Sequence, residues 1–586
     1  MNAQWDLTIL YNGFDDPKFA ADMAEFDKAV ADTVAFAEEA KALAPTELLL
    51  RRIELETSIT ALAEKLFIYA NLRYSANTSD NEAQGTMGVL MGKLSAIAAP
   101  VAAVNKLIAN IQNIEEIIEQ NDVLKEHSYY ILNIVKNSKH LLSDAEESLF
   151  AQMNISGASA WSDLQSSLTS SLKVDYKGEE ITLSTVRNMA YDPDGEVRKS
   201  AFEAELAAYP KVETSVAFAL NSIKLQVIGE AAMRGYESPL AKALDNSAMK
   251  QETLDALLTA MKEYMPAFRK YLRAKAKALG HEGGLPWYDL FAPMGKSDKK
   301  YTTEDARDYL LNIFGKFDSE LHDMVKDAFD NAWIDFFPRE GKVGGAFDCA
   351  VHSAGQSRVL TNFDGSFSDV VTLAHELGHS FHDRQVYKNS PLNREYSMPV
   401  AETASTFNEV LVMNTAIAEC EDRDTKLALI ESQLMDSNQI IVDIYSRYLF
   451  EASVFANRPT EFLSPERMCE LMLDAQKEAY GDGLDESCMH PYMWLCKGHY
   501  YSGGLSFYNY PYAFGGLFAR GIYAKYLEEG KPFVETYKKM LRATGTSTVE
   551  DAAKVCGIDL TDVNFWRAGL ASIAEQIDVF CELVGY

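Results

Sequence analysis

Two histidines and a glutamate stand close together in the segment LAHELGHSFH (373–382). His375 and His379 are four residues apart, so on a helix they share one face, one turn above the other. That spacing allows two imidazoles to reach one zinc ion at about 2.0–2.1 Å each. Glu376, beside the first histidine, is then placed to take a proton from a water molecule at the metal. The pattern predicts a zinc site with a general base built into it.

The residues around this motif predict a buried helix. Ser368 and Asp369 offer a cap and a first-turn acid, and the positions that follow are apolar on nearly all faces. Two imidazoles and a carboxylate are costly in such a place without a partner, which favours a metal over the alternative of hydrogen-bonded core histidines. His382 points partly away from His379, so we expect it to pack or to support the site rather than to bind metal.

A third ligand is needed from another helix. The extended pattern HExxHxxGxxH fails here, because positions 382 and 385 are His and Gln. The segment MPVAETASTFNEVLVM (398–413) places Glu402 and Glu409 seven residues apart on one helical face, after a start set by Pro399. We predict that Glu402 is the ligand and that Glu409 is a hydrogen-bond partner of a histidine behind it, with a solvated or capping carboxylate as the alternative for Glu409. Glu395 is the rival ligand, in a less regular segment.

The HELGH motif, followed at this distance by AETASTFNE, resembles the M3 family of zinc metallopeptidases and its oligoendopeptidase F branch in particular. The resemblance extends to WDLTILYNGFDDPKF near the N-terminus, to GASAWSDLQSSLTSSLKV (157–174) and to LPWYDLFAP (285–293). It implies a mainly α-helical, two-part shell around a deep substrate channel, with one zinc ion on the channel floor and short peptides cleaved at internal bonds. It also implies that His375, His379 and Glu402 are the ligands and that Glu376 is the base.

The segment GHYYSGGLSFYNYPYAFGG (498–516) holds one histidine and several tyrosines between glycines. Histidine and tyrosine are suitable donors to an oxyanion near neutral pH. The residues alone favour an aromatic core cluster, whereas the resemblance implies contacts with the substrate and the oxyanion. On that basis we predict catalytic roles for His499, Tyr508 and Tyr512, and a substrate contact for Tyr510. The glycines are consistent with a loop that closes on substrate.

A glycine-rich segment, VGGAFDCA (343–350), precedes the HELGH helix and predicts a strand. An extended peptide can add to the exposed edge of such a strand, and glycines permit close approach. In the family that the chain resembles, a similar element lines the cleft. Gly345, Ala346 and Phe347 are therefore predicted to contact substrate through their backbone, and an ordinary hairpin is the alternative.

The elements that must position these residues are mostly helices. Long runs with apolar residues at helical spacing, such as residues 46–76 and 252–280, dominate the chain of 586 residues. The segment LKVDYKGEEITL (172–183) predicts a hairpin turning at Lys177-Gly178. The predicted fold class is mainly α, with a small β-sheet beside the zinc-binding helix. A boundary near residue 200 would divide an N-terminal helical domain (1–200) from a catalytic domain (201–586).

Charge and composition narrow the partners. The net charge of −31 argues against nucleic acid and anionic membranes. Lys93, Pro100 and Lys106 interrupt the most apolar stretch, which we interpret as a buried helix pair rather than a span. The absence of a signal-like N-terminus and the seven scattered cysteines predict a cytoplasmic protein. The sequence leaves the oligomeric state open.

Together these features predict a metalloendopeptidase that hydrolyses short peptides with one zinc ion per chain. Two alternatives remain. The same centre could serve a carboxypeptidase or dipeptidyl carboxypeptidase, or the chain could be an inactive peptide-binding protein. The intact base beside the predicted ligands argues against the last of these.

Overall fold

The computed structural model describes residues 2–296 and 299–586, and 72% of it is helical. The prediction of a mainly α fold is confirmed. In chain order its α-helices are Pro17–Glu39 (α1), Pro45–Ala76 (α2), Asn81–Ala109 (α3), Ile114–Glu119 (α4), Asp122–Glu126 (α5), Ser128–Ser138 (α6), Asp144–Asn154 (α7), Ala160–Ser171 (α8), Leu183–Asn188 (α9), Gly195–Ala208 (α10), Glu213–Met233 (α11), Pro239–Asn246 (α12), Gln251–Ala278 (α13), Thr303–Phe317 (α14), Ser319–Asp330 (α15), Phe367–Val386 (α16), Met398–Ala401 (α17), Thr403–Glu419 (α18), Arg423–Asn438 (α19), Ile444–Asn457 (α20), Pro465–Tyr480 (α21), Met493–Cys496 (α22), Tyr510–Glu529 (α23), Pro532–Ala543 (α24), Val549–Lys554 (α25) and Val563–Val584 (α26).

Two small sheets complete the fold. Strands Lys173–Tyr176 (β1) and Glu179–Thr182 (β2) form the predicted hairpin, with Lys177 and Gly178 in the left-handed region at its turn. Strands Ile334–Asp335 (β3), Phe347–Val351 (β4) and Gln356–Leu360 (β5) form the second sheet in the order β3-β5-β4. Strand β5 pairs parallel to β3 and antiparallel to β4. The second sheet packs against α16, as the sequence predicted for a sheet beside the HELGH helix.

The apolar side chains of the described residues form one large core and three smaller clusters, two of them N-terminal. Helices α1, α2 and α3 pack on one another around Phe26, Leu66 and Leu90, and Val351 of β4 joins this cluster. The large core runs from Ala158 to Cys581 and surrounds α16. The segment before the hairpin therefore contributes to the large core, and the division at residue 200 stays a prediction.

Helix α3 differs from the buried helix pair that the sequence predicted. It is one continuous helix that contains Pro100, and its buried positions, among them Leu90, Ile97 and Val104, follow a narrow stripe. It is the one helix in the described ranges that is long and apolar enough to cross a membrane by length and composition, and 17% of its apolar window is buried. The interpretation as a buried pair was wrong because the seven-residue spacing of the buried positions uses one side of the helix only.

Candidate metal centre and active site

Helix α16 carries the HELGH motif and begins two residues earlier than predicted. Ser366, rather than Ser368, is the N-cap. Its Oγ accepts from the Asp369 N–H and the Asp369 carboxylate accepts from the Ser366 N–H, which completes a capping box. Asp369 also accepts from the backbone of Asp364 and Gly365, so the loop before the helix is held at its carboxylate. The prediction of a buried helix is confirmed, with Leu373, Ala374 and Leu377 fully enclosed.

Gly378, the glycine of HELGH, brings α18 close to α16. A Cβ atom at this position would lie 2.5 Å from Ser405 Cα and 2.6 Å from the Ala404 carbonyl oxygen, so no other residue fits without backbone movement. Asn408 of α18 adds a hydrogen bond from its side-chain amide to the Ala374 carbonyl at 3.1 Å. Gly378 was not among the residues predicted to be functional, although a glycine inside a buried helical pattern is itself a signal of close backbone approach.

This close packing puts three potential ligand atoms at the corners of a small triangle. His375 Nε2 and His379 Nε2 are 3.2 Å apart. Glu402 Oε2 lies 3.3 Å from each of them. Ligand atoms about 2.0–2.1 Å from one tetrahedral zinc ion lie about 3.3–3.4 Å apart. The three residues therefore fit a zinc ion in both donor type and spacing.

Glu402 lies at a break between two helices rather than inside one. It follows the short helix α17 and precedes the first residue of α18, and its carboxylate accepts a hydrogen bond from Ser405 Oγ at 2.9 Å. Pro399 is the second residue of the short helix, close to the predicted start, but the segment 398–413 is not one continuous helix. On the opposite side, a Cβ atom on Gly515 of α23 would lie 3.0 Å from Glu402 Cβ, so α23 closes over this residue.

Hydrogen bonds among the histidines and the carboxylates of this cluster shift the pKa values of His375 and Glu402. Burial disfavours the protonated form of His375, but hydrogen bonds to Glu402 and Glu409 outweigh it and raise its pKa to about 10. Burial acts to raise the pKa of Glu402, yet hydrogen bonds to His375 and His379 leave it well below its usual range. The site thus stabilises positive charge between the imidazoles and the carboxylate, which is what a bound cation requires.

Glu409 binds the far side of His375. Its Oε1 lies 2.6 Å from His375 Nδ1, so that nitrogen donates to the carboxylate and Nε2 is left to face the metal position.

Glu395, the rival ligand, is exposed in the loop before α17. His382 is fully buried, stacks on Tyr396 with ring centroids 4.1 Å apart and lies 2.8 Å from Thr544 Oγ1. Its position agrees with the expectation that it packs.

Glu376 faces the sheet as well as the metal position. One of its ligand atoms lies within 4.8 Å of those of His375 and His379. Burial raises the pKa of Glu376, while the two histidines and a hydrogen bond from the Asp348 backbone N–H act against that rise. A raised pKa makes a carboxylate a stronger base near neutral pH.

Asp348 of β4 supports the site and was not among the residues predicted from the sequence. Its carboxylate accepts from Ser380 Oγ at 2.5 Å. Burial and the nearby carboxylate of Asp383 raise its pKa well above the usual range, and Asp383 in turn accepts from Tyr396 at 3.0 Å. These contacts fix the strand against the face of α16 that carries Glu376.

The hydrogen-bond pattern of the sheet shows which backbone groups of β4 are free. Val359 and Thr361 direct their N–H groups to the β3 side, so Arg358 and Leu360 pair with β4. Phe347 is opposite Leu360, and the Gly345 carbonyl accepts from Asn362 Nδ2 at 2.8 Å. By alternation Asp348 faces the open edge, where its N–H donates to Glu376, and Ala346 precedes the strand on the same side. Of the three predicted backbone contacts, Ala346 is on this edge, whereas Gly345 and Phe347 face the neighbouring strand.

His499, Tyr508 and Tyr512 come together as a small aromatic cluster. The His499 ring centroid lies 5.2 Å from that of Tyr508 and 6.1 Å from that of Tyr512. Tyr512 and Glu402 line the same cavity. Burial and Tyr508 raise the pKa of Tyr512 to about 12, and burial with nearby Arg447 and Lys497 lowers the pKa of His499. At neutral pH Tyr512 therefore keeps its proton and His499 is uncharged, so both are neutral donors.

Tyr510 lies outside this cluster. Its side chain is 1% exposed, and its hydroxyl lies 2.9 Å from Ser247 Oγ and donates to the Ala243 carbonyl at 3.3 Å. The predicted substrate contact of Tyr510 stays a prediction without structural support, because position 510 begins α23 and its side chain points into the core while Tyr512 faces the cavity.

Comparison with known proteins gives consistent matches along the chain. The family model described as Peptidase family M3 matches residues 188–572, and the one described as Oligopeptidase F matches residues 109–173. Oligopeptidase PepF of Bacillus subtilis is 28% identical over 534 residues, covering 89% of this chain and 78% of its own.

Two solved structures share the fold. The crystal structure of oligoendopeptidase-F from Enterococcus faecium superposes with a TM-score of 0.71 at 18% identity, covering 97% of this chain and 99% of its own. A candidate peptidase from Chlamydophila abortus superposes with a TM-score of 0.85 at 22% identity, covering 99% and 98%.

Proposed function

The chain belongs to peptidase family M3, and from that premise we propose that it is a zinc-dependent oligoendopeptidase that cleaves internal bonds of short peptides. The observation that carries the proposal is the triangle of His375, His379 and Glu402 donor atoms, with edges of 3.2–3.3 Å, beside the buried carboxylate of Glu376. These residues would hold one zinc ion per chain, which supplies Lewis-acid polarisation of the scissile carbonyl and a water of lowered pKa.

The chain's own residues supply proton transfer and positioning. Glu376 takes the proton of the attacking water and returns it to the leaving amine, because its raised pKa suits both steps. His499 and Tyr512 donate hydrogen bonds to the oxyanion of the tetrahedral intermediate, with Tyr508 beside them. The open edge of β4 at Ala346 is available to hold an extended substrate backbone.

The test is mass spectrometry of a ladder of peptides, from about five to forty residues, together with one folded protein. Internal cuts that are confined to shorter peptides and stop with chelator support the proposal. Stepwise trimming from the C-terminus would instead indicate a carboxypeptidase or dipeptidyl carboxypeptidase. Absence of cleavage by protein with stoichiometric metal would favour a peptide-binding protein.

Removal of the Tyr512 hydroxyl tests its role in the reaction. Tyr512→Phe is expected to lower kcat by on the order of 10²–10³-fold, which is the usual effect of losing one oxyanion donor. Steady-state kinetics on one fluorogenic peptide measures this. Tyr510→Phe is the matched control, because its hydroxyl is bonded to Ser247. If Tyr512→Phe kept the wild-type kcat and Tyr508→Phe lowered it, Tyr508 would be the oxyanion donor instead.

Glu409 is expected to affect the metal through His375. Glu409→Ala should weaken zinc affinity by about 10–100-fold, because His375 loses the acceptor that orients its ring. Competition with a chromophoric chelator measures the affinity. Glu409→Gln keeps an acceptor oxygen and should lie between the two. Equal affinities for Glu409→Ala and the wild type would contradict the role.

A further inference from the structure

The cavity beside the metal ligands extends well beyond them. It has a volume of about 690 Å³ and lies between α16, α18, α19 and α23. His375, Glu402 and Glu409 line it where it meets the metal position. Apolar side chains line another part, namely Phe367, Val371, Val410, Met413, Leu429 and Ile440. A third part of the wall, from α19 and α23, is polar, and the exposed Lys299 and Lys300 line the cavity outside these helices.

Arg520 of α23 is the cation of this polar wall. Its side chain is 7% exposed, and its Nη2 donates to Ser437 Oγ at 3.1 Å. Its Nε has no hydrogen-bond partner, and it forms no ion pair with any residue of the ranges 2–296 and 299–586. A buried guanidinium with an uncommitted N–H normally has an acceptor, so this one indicates a ligand group or water at the site.

Two further groups on the same wall are uncommitted. Gln433 of α19 is 5% exposed, and its Oε1 has no hydrogen-bond partner. Asp436, three residues further along the same face, also lines the cavity, and within the described part of the chain nothing donates to its carboxylate. Among the groups of this wall without a hydrogen-bond partner are therefore a donor, Arg520 Nε–H, and acceptors on Gln433 and Asp436.

The balance of charge on this wall favours a neutral ligand. Glu409 and Asp436 both act electrostatically on Arg520, and Glu409 has the larger effect. Glu409 is itself bonded to His375. Of the two exposed lysines that also line the cavity, Lys300 pairs with Asp364 at 3.3 Å. A carboxylate ligand would meet Arg520 but also two carboxylates of like charge. A carboxamide has one acceptor oxygen and an NH2 donor, which match the free groups without adding charge.

We propose that this cavity is a specificity pocket for a substrate side chain that ends in a carboxamide, with glutamine as the side chain of suitable length. The carboxamide oxygen accepts from Arg520 Nε, and its NH2 donates to Gln433 Oε1 or to Asp436. The apolar wall encloses the methylene groups of the side chain. This inference rests on the proposed peptidase function, since it names the substrate class of the same site.

Competition between matched peptides tests the pocket. Peptides of one length carry Gln, Asn, Glu or Met at each of the two positions on either side of the cleaved bond, and mass spectrometry gives their relative kcat/KM. At one position Gln should exceed Met by about 10–100-fold, because Met leaves the polar groups of the wall unpaired. Glu should be slower than Gln at that position because of Asp436 and Glu409.

Two variants connect the preference to the wall. Arg520→Met and Gln433→Met should each reduce the Gln-to-Met ratio to about 1, and the ratio does not depend on the fraction of active enzyme. Arg567→Met, which removes a surface arginine paired with Glu263, is the matched control and should keep the wild-type ratio. Two substitutions guard against one of them disrupting the fold.

Several outcomes would overturn the pocket while leaving the peptidase intact. Equal rates for Gln and Met at every position would mean that water, and not a substrate side chain, forms hydrogen bonds with the polar groups of the wall. A wild-type preference that survives both variants would place the selection elsewhere, and a preference for Glu over Gln would replace the carboxamide with a carboxylate. Failure to cleave any peptide is a different result, because it rejects the proposed function itself.

Discussion

Glu376→Gln is expected to bind zinc like the wild type and to lose on the order of 10³–10⁴-fold in kcat. The amide keeps the size of the side chain and can accept the hydrogen bond from the Asp348 backbone, so the helix and the ligand triangle should stay in place. It has no basic oxygen for the proton of the attacking water. The result therefore separates metal binding from catalysis.

The measurement pairs metal analysis with kinetics on one peptide. Zinc content after gel filtration should remain near one per chain, while kcat falls and KM changes little. Glu282→Gln, an exposed glutamate of the described chain, is the matched control for the loss of a carboxylate. A Glu376→Gln variant with wild-type kcat would exclude Glu376 as the base. A variant that had lost its zinc would show that Glu376 supports metal binding, and its lower rate would then not be evidence for a general base.

Glu402→Ala is expected to lose metal and activity together. Glu402 Oε2 is the one carboxylate atom 3.3 Å from both imidazole Nε2 atoms among the described ion pairs. Its removal leaves two histidine ligands, so zinc affinity should fall by more than the about 10–100-fold expected for an outer partner such as Glu409. The variant should emerge from dialysis without zinc and without peptidase activity.

Glu395→Ala is the informative control for this prediction. Glu395 is exposed in the loop before α17, and from the sequence it was the rival for the third ligand position. It should keep full zinc occupancy and wild-type turnover. If Glu395→Ala lost zinc and Glu402→Ala kept it, Glu395 would be the third ligand and Glu402 would not. Excess zinc should restore part of the activity of Glu402→Ala only if the two histidines still hold the ion.

The residues with local spacing could be predicted from the sequence. Four residues on a helix bring His375 and His379 to one face, and the neighbouring apolar residues require that helix to be buried. The Lys177-Gly178 hairpin follows from its own residues too, since glycine favours the left-handed turn that the structure has. Such features depend on neighbours in the chain, so no distant element is needed to specify them.

Other parts of the site were decided by packing between distant segments. That Glu402 lies 3.3 Å from both histidines depends on the close approach of α18 to α16 at Gly378. The candidate carboxylates could be named from the sequence, but their distances from the histidines could not. Likewise, Tyr510 and Tyr512 are two residues apart on one helix, and only the position of α23 in the core makes one of them face Ser247 and the other face the cavity.

Packing between distant segments also explains why some residues around the strand and the cavity could not be predicted. Which backbone groups of β4 are free depends on its pairing with β5, and pairing alternates with each residue. Arg520 and Gln433 are 87 positions apart in the sequence, and no local pattern relates them. They share one cavity wall because α19 and α23 both pack around the metal site. Helical periodicity therefore identified the histidine ligands and the base, and tertiary packing decided which side chains surround them.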